Sequence, residues 1–322
     1  MRVFALLVAL MLFPSGAFAQ TPSGFETISL LVSPTYPKPY EQVTVSVSSG
    51  NVNITGSSIT FYANNTIVGE GERSATFTVG GPGQRMLVRA VIASPSGTYE
   101  RQISFYPSEV SLVTEAFTTT HPFYDGGALP TATSRVRLVA LPDIRTSSGA
   151  RVGSDSLVYT WKLGEKLLEA QSGIGRSVFV ASAPERYRDA VVSVTVTTQD
   201  KTRVAYAQTT VSPVEPIVRV YQADPLLGPA FFKALSGTFS LMGTESTFKV
   251  VPYFFKEQPR LSWTINNTVS GERDELTVRS TGGAGSALIS ATAEEGYLRD
   301  SADFTVRFNG VSRGLFGLCN TS

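Results

Sequence analysis

The chain has 322 residues, with 27 lysines and arginines against 26 aspartates and glutamates, and hydrophobic residues make up 42% of it. This charge balance excludes a long-range attraction to nucleic acid or anionic lipid, so we expect neither as a partner. One histidine and one cysteine exclude the common zinc sites, which need several such ligands. We predict no metal ion and no cofactor.

The N-terminus has the pattern of a cleaved signal peptide. Arg2 is followed by an apolar run at 3–13 and by the small-x-small sequence Ala-Phe-Ala at 17–19. The run is too short for a stable membrane span. We therefore predict cleavage after Ala19, export to the cell surface, the extracellular space or the periplasm, and no transmembrane span in the mature chain.

An exported chain with a single cysteine has no disulfide framework, so apolar cores must hold it together. Cys319 lies close to the C-terminus and has two open interpretations. It forms an intermolecular disulfide, or it is an inert residue in a mobile tail.

One pattern of residues occurs three times along the chain. Each copy has a strand with a large aromatic residue, a pair of turn-forming residues and a second short strand. The aromatics are Phe61, Trp161 and Trp263, and the turn pairs are Asn64-Asn65, Gly164-Glu165 and Asn266-Asn267. Asparagine and glycine reach positive φ at low cost, which is typical of hairpin turns. A buried aromatic here is how an immunoglobulin-like sandwich fills the space between its sheets, so we predict that all three rings are core.

Alternating strand patterns around the three copies divide the chain. After the signal peptide at 1–19 we predict immunoglobulin-like domains at 20–107, 108–213 and 214–308, followed by a C-terminal tail at 309–322. Each domain contains about seven strands at about 100 residues, as one sandwich requires. The linker Pro-Val-Glu-Pro at 213–216 is short and proline-rich, which favours a restricted angle between neighbouring domains.

Residues 33–47 carry a resemblance to a known family. Ser33-Pro34 is followed by Pro-Lys-Pro at 37–39, by Glu41 and by the run Val-Thr-Val-Ser-Val at 43–47. This order resembles the opening of PKD and bacterial immunoglobulin-like modules in exported surface proteins, with Tyr40 where glycine is usual. The Gly-Asp-Gly turn of PKD modules is absent. The resemblance implies an all-β fold of three tandem immunoglobulin-like (PKD-like) β-sandwiches that act as spacers, stalks or binding units.

The stretch 224–236 interrupts strand alternation. After Pro229 the pattern predicts a short helical turn with Leu227, Phe231, Phe232 and Leu235 on one face. One interpretation is a wedge that packs between the second and third domains. The other is an exposed apolar contact for a partner.

Residues with catalytic or binding chemistry are few. His121 has no nucleophile beside it in sequence, so we interpret it as an ordinary loop residue. Four carboxylates at Glu294, Glu295, Asp300 and Asp303 match no calcium-loop spacing and are interpreted as a solvated turn. Three consecutive aromatics occupy 253–255, and we interpret them as core or interface in preference to an exposed sugar-binding row.

These features favour a non-catalytic exported cell-surface protein, structural or adhesive, built as a rod of immunoglobulin-like domains. The alternative is a carbohydrate-binding or accessory module of a secreted enzyme system. An enzyme is disfavoured because no nucleophile and base are paired. We expect the partner to be a protein or a glycan at the cell surface.

Overall fold

The structure is a computed structural model that describes residues 28–308 except 51 and 96. The regular structure of these residues is strand, apart from 3₁₀ turns at Ser154–Ser156 and Glu169–Gln171. The predicted all-β class of immunoglobulin-like sandwiches is confirmed. The predicted signal peptide, the tail and Cys319 lie outside the described residues.

Strands β1 to β7 form the first strand set. They are β1 Ile28–Ser33, β2 Gln42–Ser49, β3 Ser58–Ala63, β4 Thr66–Glu70, β5 Ser74–Thr78, β6 Met86–Ser94 and β7 Gly97–Phe105. Two sheets result, with strand orders β1-β2-β5 and β4-β3-β6-β7. Alternate residues of β2, β3 and β6 are buried, which gives each sheet one apolar face.

Strands β8 to β15 form the second strand set and repeat this order. They are β8 Glu109–Ala116, β9 Arg135–Asp143, β10 Val158–Leu163, β11 Lys166–Leu167, β12 Gly173–Ile174, β13 Val178–Ser182, β14 Ala190–Thr197 and β15 Val204–Val211. The sheets are β8-β9-β13 and β11-β10-β14-β15, with β12 also paired to β10.

Strands β16 to β24 form the third strand set. They are β16 Ile217–Asp224, β17 Gly228–Ala234, β18 Gly237–Leu241, β19 Glu245–Tyr253, β20 Arg260–Ile265, β21 Thr268–Gly271, β22 Glu275–Arg279, β23 Gly285–Glu295 and β24 Leu298–Phe308. The shared order recurs as β16-β19-β22 and β21-β20-β23-β24. Two extra strands extend it, because β17 joins the edge at β16 and β18 pairs in parallel with β24.

The described chain divides into two compact units. The first consists of β1, Thr44–Phe77 and Leu87–Ile103, and the second consists of Pro34–Val43, Thr78–Met86 and the described residues from Ser104 onward. The second and third strand sets thus belong to one unit. The division into three domains at 107 and 213 stays a prediction.

The three repeated aromatics occupy equivalent strands. Phe61 on β3, Trp161 on β10 and Trp263 on β20 are each completely buried. The Trp161 indole N–H donates to the carbonyl of Arg176, and that of Trp263 donates to the carbonyl of Arg273, both at 2.8 Å. A buried indole N–H needs such a partner.

The two Asn-Asn turns are built identically. Asn64 and Asn266, the first residues of the turns, have φ of 46° and 48°, and both pairs continue with a second positive φ. The Asn266 Oδ1 accepts from the Leu288 amide at 2.9 Å, and its own amide donates to the Leu288 carbonyl at 2.8 Å. Asn64 makes the same two bonds to Leu87. Asparagine is therefore required here for its backbone conformation and for its side-chain oxygen.

The Asn266 turn provides a stability test. Asn266→Ala is expected to lower the free energy of unfolding by about 2 kcal/mol, because alanine is strained at this φ and the side-chain hydrogen bond is lost. Asn266→Gly tolerates the φ and loses only the bond, so about 1 kcal/mol is expected. Denaturant unfolding followed by far-ultraviolet circular dichroism measures both losses in the otherwise unchanged chain. Equal losses in the two variants would contradict a role for the backbone conformation.

Candidate functional site

The second and third strand sets are joined by main-chain hydrogen bonds at Thr119. The Thr119 amide donates to the Phe255 carbonyl at 2.8 Å, and the Phe254 amide donates to the Thr119 carbonyl at 2.7 Å. The Thr119 hydroxyl accepts from the Phe255 amide at 3.1 Å and donates to the Pro252 carbonyl at 3.4 Å. The loop after β8 and the loop after β19 are therefore joined by hydrogen bonds between their main chains. We call this region the junction.

The linker at 213–216 is also held by hydrogen bonds to the second strand set. The Val214 amide donates to the Pro130 carbonyl at 2.8 Å. The Arg186 guanidinium bonds both carboxylate oxygens of Glu215, with Nε and Oε1 at 2.7 Å. Bidentate pairs of this kind fix orientation as well as distance.

Rings from both strand sets pack together beside the junction. The His121 ring stacks on Phe231, with centroids 4.1 Å apart and planes at 2°, and meets Tyr253 edge-on at 5.6 Å. Tyr124 meets Tyr253 at 5.5 Å and Phe254 at 6.0 Å. Aromatic pairs contribute about 0.5–1.5 kcal/mol each beyond the area they bury. His121 is thus part of this aromatic cluster, a role that the sequence did not indicate because its partners are distant in the chain.

A buried pair of phenols lies in the same region. The hydroxyls of Tyr221 and Tyr253 are 2.8 Å apart. Burial raises the pKa of Tyr253, and its hydrogen bond with Tyr221 raises it further. The two hydroxyls satisfy each other's hydrogen bonding in a buried place.

The predicted helical turn in 224–236 is wrong, because β16 and β17 form an antiparallel hairpin there. The Asp224 Oδ1 accepts from the amides of Leu226 and Leu227 at 2.8 and 2.9 Å, and Gly228 has φ 78°. This Asx turn reverses the chain before a helix begins. Strand alternation then directs Phe231 and Phe232 to opposite faces.

The four residues predicted as one apolar face are consequently divided. Phe231 stacks in the aromatic cluster, and Leu235 packs against the core of the third strand set. Leu227 and Phe232 are 89% and 91% exposed, and so is Leu226 at 94%. We call Leu226, Leu227 and Phe232 the exposed hairpin residues. The sequence did not single out Leu226, because a helical wheel places it off the apolar face.

The aromatic run at 253–255 is buried and does not form an exposed row. Phe254 has φ 64°, which is rare for a bulky residue. The hydrogen bond from its main-chain amide to the Thr119 carbonyl holds this conformation. The sugar-binding role considered for this run is therefore wrong, and its interpretation as core and interface holds.

The carboxylates near the end of β23 bind backbone amides. Glu295 accepts from the Lys256 amide at 2.9 Å, and Asp300 accepts from the Val218 amide at 2.6 Å. Within residues 28–308, leaving out 51 and 96, no three histidine, cysteine or acidic side chains are grouped to hold a metal ion. The same residues include no helix of the length and apolarity needed to cross a membrane.

The strand order and the buried aromatics define a tandem immunoglobulin-like β-sandwich protein. No family model and no curated protein matches the chain. The chain is similar to three N-terminal domains of the outer capsid protein Hoc of bacteriophage RB49, at 11% identity, covering 89% of this chain and 99% of that one, with TM-score 0.25.

Two further solved structures show a likeness of the same kind. Sidekick-1 immunoglobulin domains 1–5 match at 9% identity over 90% of this chain and 61% of that one, with TM-score 0.29. Fibronectin(III)-like modules of Clostridium thermocellum CbhA match at 10% identity over 57% and 94%, with TM-score 0.25. Because these TM-scores lie below 0.5, the assignment of the fold rests on the strands and their pairing.

The phenol pair predicts a specific non-additivity. Tyr221→Phe and Tyr253→Phe each leave one buried hydroxyl without its partner, so each is expected to cost about 1–3 kcal/mol of unfolding free energy. The double variant removes both hydroxyls and is expected to cost no more than either single change. A double-mutant cycle measured by denaturant unfolding tests this. Additive losses would contradict the pairing.

The Asx turn predicts a pH dependence. Hydrogen bonds from the Leu227 and Leu226 amides lower the pKa of Asp224. The contribution of the Asp224 carboxylate to the stability of the folded chain is therefore complete above the unfolded pKa of about 3.9. This contribution is lost as the pH falls through the lower pKa of the folded state. The NMR shifts of the Leu226 and Leu227 amides should titrate with a midpoint below about 3.9. Asp224→Asn keeps the acceptor without the charge, so its amides should not titrate, and a wild-type midpoint at or above 3.9 would refute the assignment.

Proposed function

We propose that the chain is a non-catalytic, exported component of a cell surface, structural or adhesive, whose immunoglobulin-like sandwiches act in series. The observation that carries this proposal is the junction. Main-chain bonds at Thr119, the tied linker and the aromatic cluster join two strand sets within one compact unit.

The junction suits a mechanical role. Contacts between domains of one chain usually permit relative motion unless the interface is large and apolar. Here hydrogen bonds of about 0.5–1.5 kcal/mol each add to ring contacts of similar size. Bending at the junction would break several of them together, which supports a spacer that holds its angle.

The exposed hairpin residues support an adhesive contact. Leu226, Leu227 and Phe232 lie on a hairpin that the first two strand sets lack. Large apolar side chains exposed together often mark interaction sites. The hairpin is anchored through Phe231, so a partner would meet a preformed surface.

Export is tested with the full chain and its own N-terminus, expressed in a bacterial host. N-terminal sequencing of the purified product is expected to begin at Gln20, and fractionation is expected to recover the chain outside the cytoplasm. A cytoplasmic product that keeps Met1 would overturn export.

Adhesion is tested with beads coated with the full chain and applied to intact cells of the source organism. The double change Leu227→Ser with Phe232→Ser is expected to reduce bead retention at least tenfold. Met242→Ser changes an equally exposed apolar residue away from the hairpin and should have no effect. Retention unchanged by the double variant would remove the hairpin from the adhesive contact.

Stiffness at the junction is tested by distance measurement. Spin labels at Leu167→Cys and Val269→Cys, in a Cys319→Ser background, report on the second and third strand sets. A single narrow distance distribution is expected. Thr119→Pro removes the amide that donates to the Phe255 carbonyl, so this variant should show a broader distance distribution. Thr119→Val loses only the hydroxyl, so its distance distribution should stay narrow. A broad distribution in the parent chain would contradict the spacer role.

A further inference from the structure

A cleft of about 410 Å³ lies on the second strand set, on the sheet face opposite its core. The core face of this sheet carries Trp161 and Val194. Side chains alternate along a strand, so the residues next to them face the cleft. Together with Tyr36, the cleft residues all belong to the second compact unit. The volume is within the range of small-molecule sites.

Strand register assembles the floor of the cleft. Ser193 on β14 pairs with Lys162 on β10 and with Gln208 on β15, so these three side chains form one row across the sheet. Thr195 and Tyr206 pair in the adjacent row. Chemically different groups that are far apart in sequence are thereby placed side by side.

Two tyrosines form one wall. Tyr36 stacks on Tyr206 with centroids 5.6 Å apart and planes at 27°. The Tyr206 hydroxyl donates to the Gln208 Oε1 at 2.8 Å. This bond does not use the N–H groups of the Gln208 side chain, which remain as donors. Tyr36 stays 39% exposed and offers apolar ring surface to the cleft.

Ser193 is the central polar residue of the cleft floor. The residue is 8% exposed, and its hydroxyl, which reaches the cleft, makes no hydrogen bond within the described part of the chain. A hydroxyl that reaches a cleft without a partner in the protein can both donate to and accept from a bound molecule. Lys162 and Glu165 also line the cleft, and neither forms an ion pair with any residue that the structure describes.

We propose that this cleft binds a neutral saccharide, with a sugar ring against Tyr36 and its hydroxyls bonded to Ser193, Lys162, Gln208 and Glu165. A sugar has an apolar face of C–H groups, which suits the negative face of an aromatic ring. Its hydroxyls both donate and accept, which matches a mixed set of donors and acceptors. This inference adds a second recognition site, apart from the exposed hairpin residues, and rests on the proposed function for its biological meaning.

Other ligand classes fit less well. Lys162 and Glu165 offset each other, so an anion gains little net attraction. An extended peptide adds to a sheet edge through main-chain bonds, whereas this cleft lies on a sheet face. The saccharide is the class whose groups match the apolar wall and the polar floor together.

The test uses the purified full chain and four neutral probes, namely maltotetraose, cellotetraose, chitotetraose and mannotetraose. Calorimetry is expected to show saturable binding of at least one probe. NMR is expected to place the shifted amides at Ser193 and Tyr206. Tyr36→Ala should weaken binding at least tenfold, Tyr36→Phe should stay within about twofold, and Ser193→Ala should weaken it several-fold, as loss of one hydrogen bond predicts.

Tyr187→Ala is the matched control, because Tyr187 is a highly exposed tyrosine outside the cleft, and its binding should equal that of the parent chain. Unchanged thermal unfolding of each variant shows that folding is intact. The absence of saturable binding to all four probes, or binding indifferent to Tyr36→Ala and Ser193→Ala, would overturn the proposal. If binding fails while export and bead retention persist, the saccharide inference alone is wrong. If binding holds while export fails, the proposed function alone is wrong.

Discussion

The hydrogen bond from a buried indole to a main-chain carbonyl is the constraint on which the second and third strand sets depend. Trp161 and Trp263 fill the space between two sheets, and their N–H groups reach the carbonyls of Arg176 and Arg273. Each of these arginines lies two residues before an equivalent strand, β13 or β22. The ring therefore fixes the spacing of the sheets and also the point at which the chain enters the opposite sheet. Phe61 takes the same place without a donor.

With the cores fixed in this way, differences between the strand sets are confined to edges, faces and loops. The third set adds β17 and β18 at sheet edges, and the first of these contributes Phe231 to the aromatic cluster. The second set leaves one sheet face open as the cleft beside Tyr36. The mechanical and recognition roles that we propose thus fall on residues that the cores do not need.

Local sequence patterns predicted the features that depend on neighbouring residues alone, namely the turns and the strands. The Asn-Asn pairs predicted hairpins because positive φ is a property of single residues, and alternation predicted an all-β chain. The prediction of a helical turn at 224–236 was wrong. The apolar spacing suited a helix, but the Asp224 carboxylate accepts hydrogen bonds from two main-chain amides and forms a turn there instead. The role of His121 and the row through Ser193 depend on cross-strand register and on distant loops. No local signal in the sequence encodes such contacts.

The most direct test of the shared core is hydrogen exchange at the two indole N–H groups. The chain contains only two tryptophans, so their resonances are separable by a single substitution. If both indoles are buried and bonded, their exchange requires unfolding of the strand set that holds them, and strong protection is expected for both. Exchange of either indole at the rate of an exposed tryptophan would contradict the account.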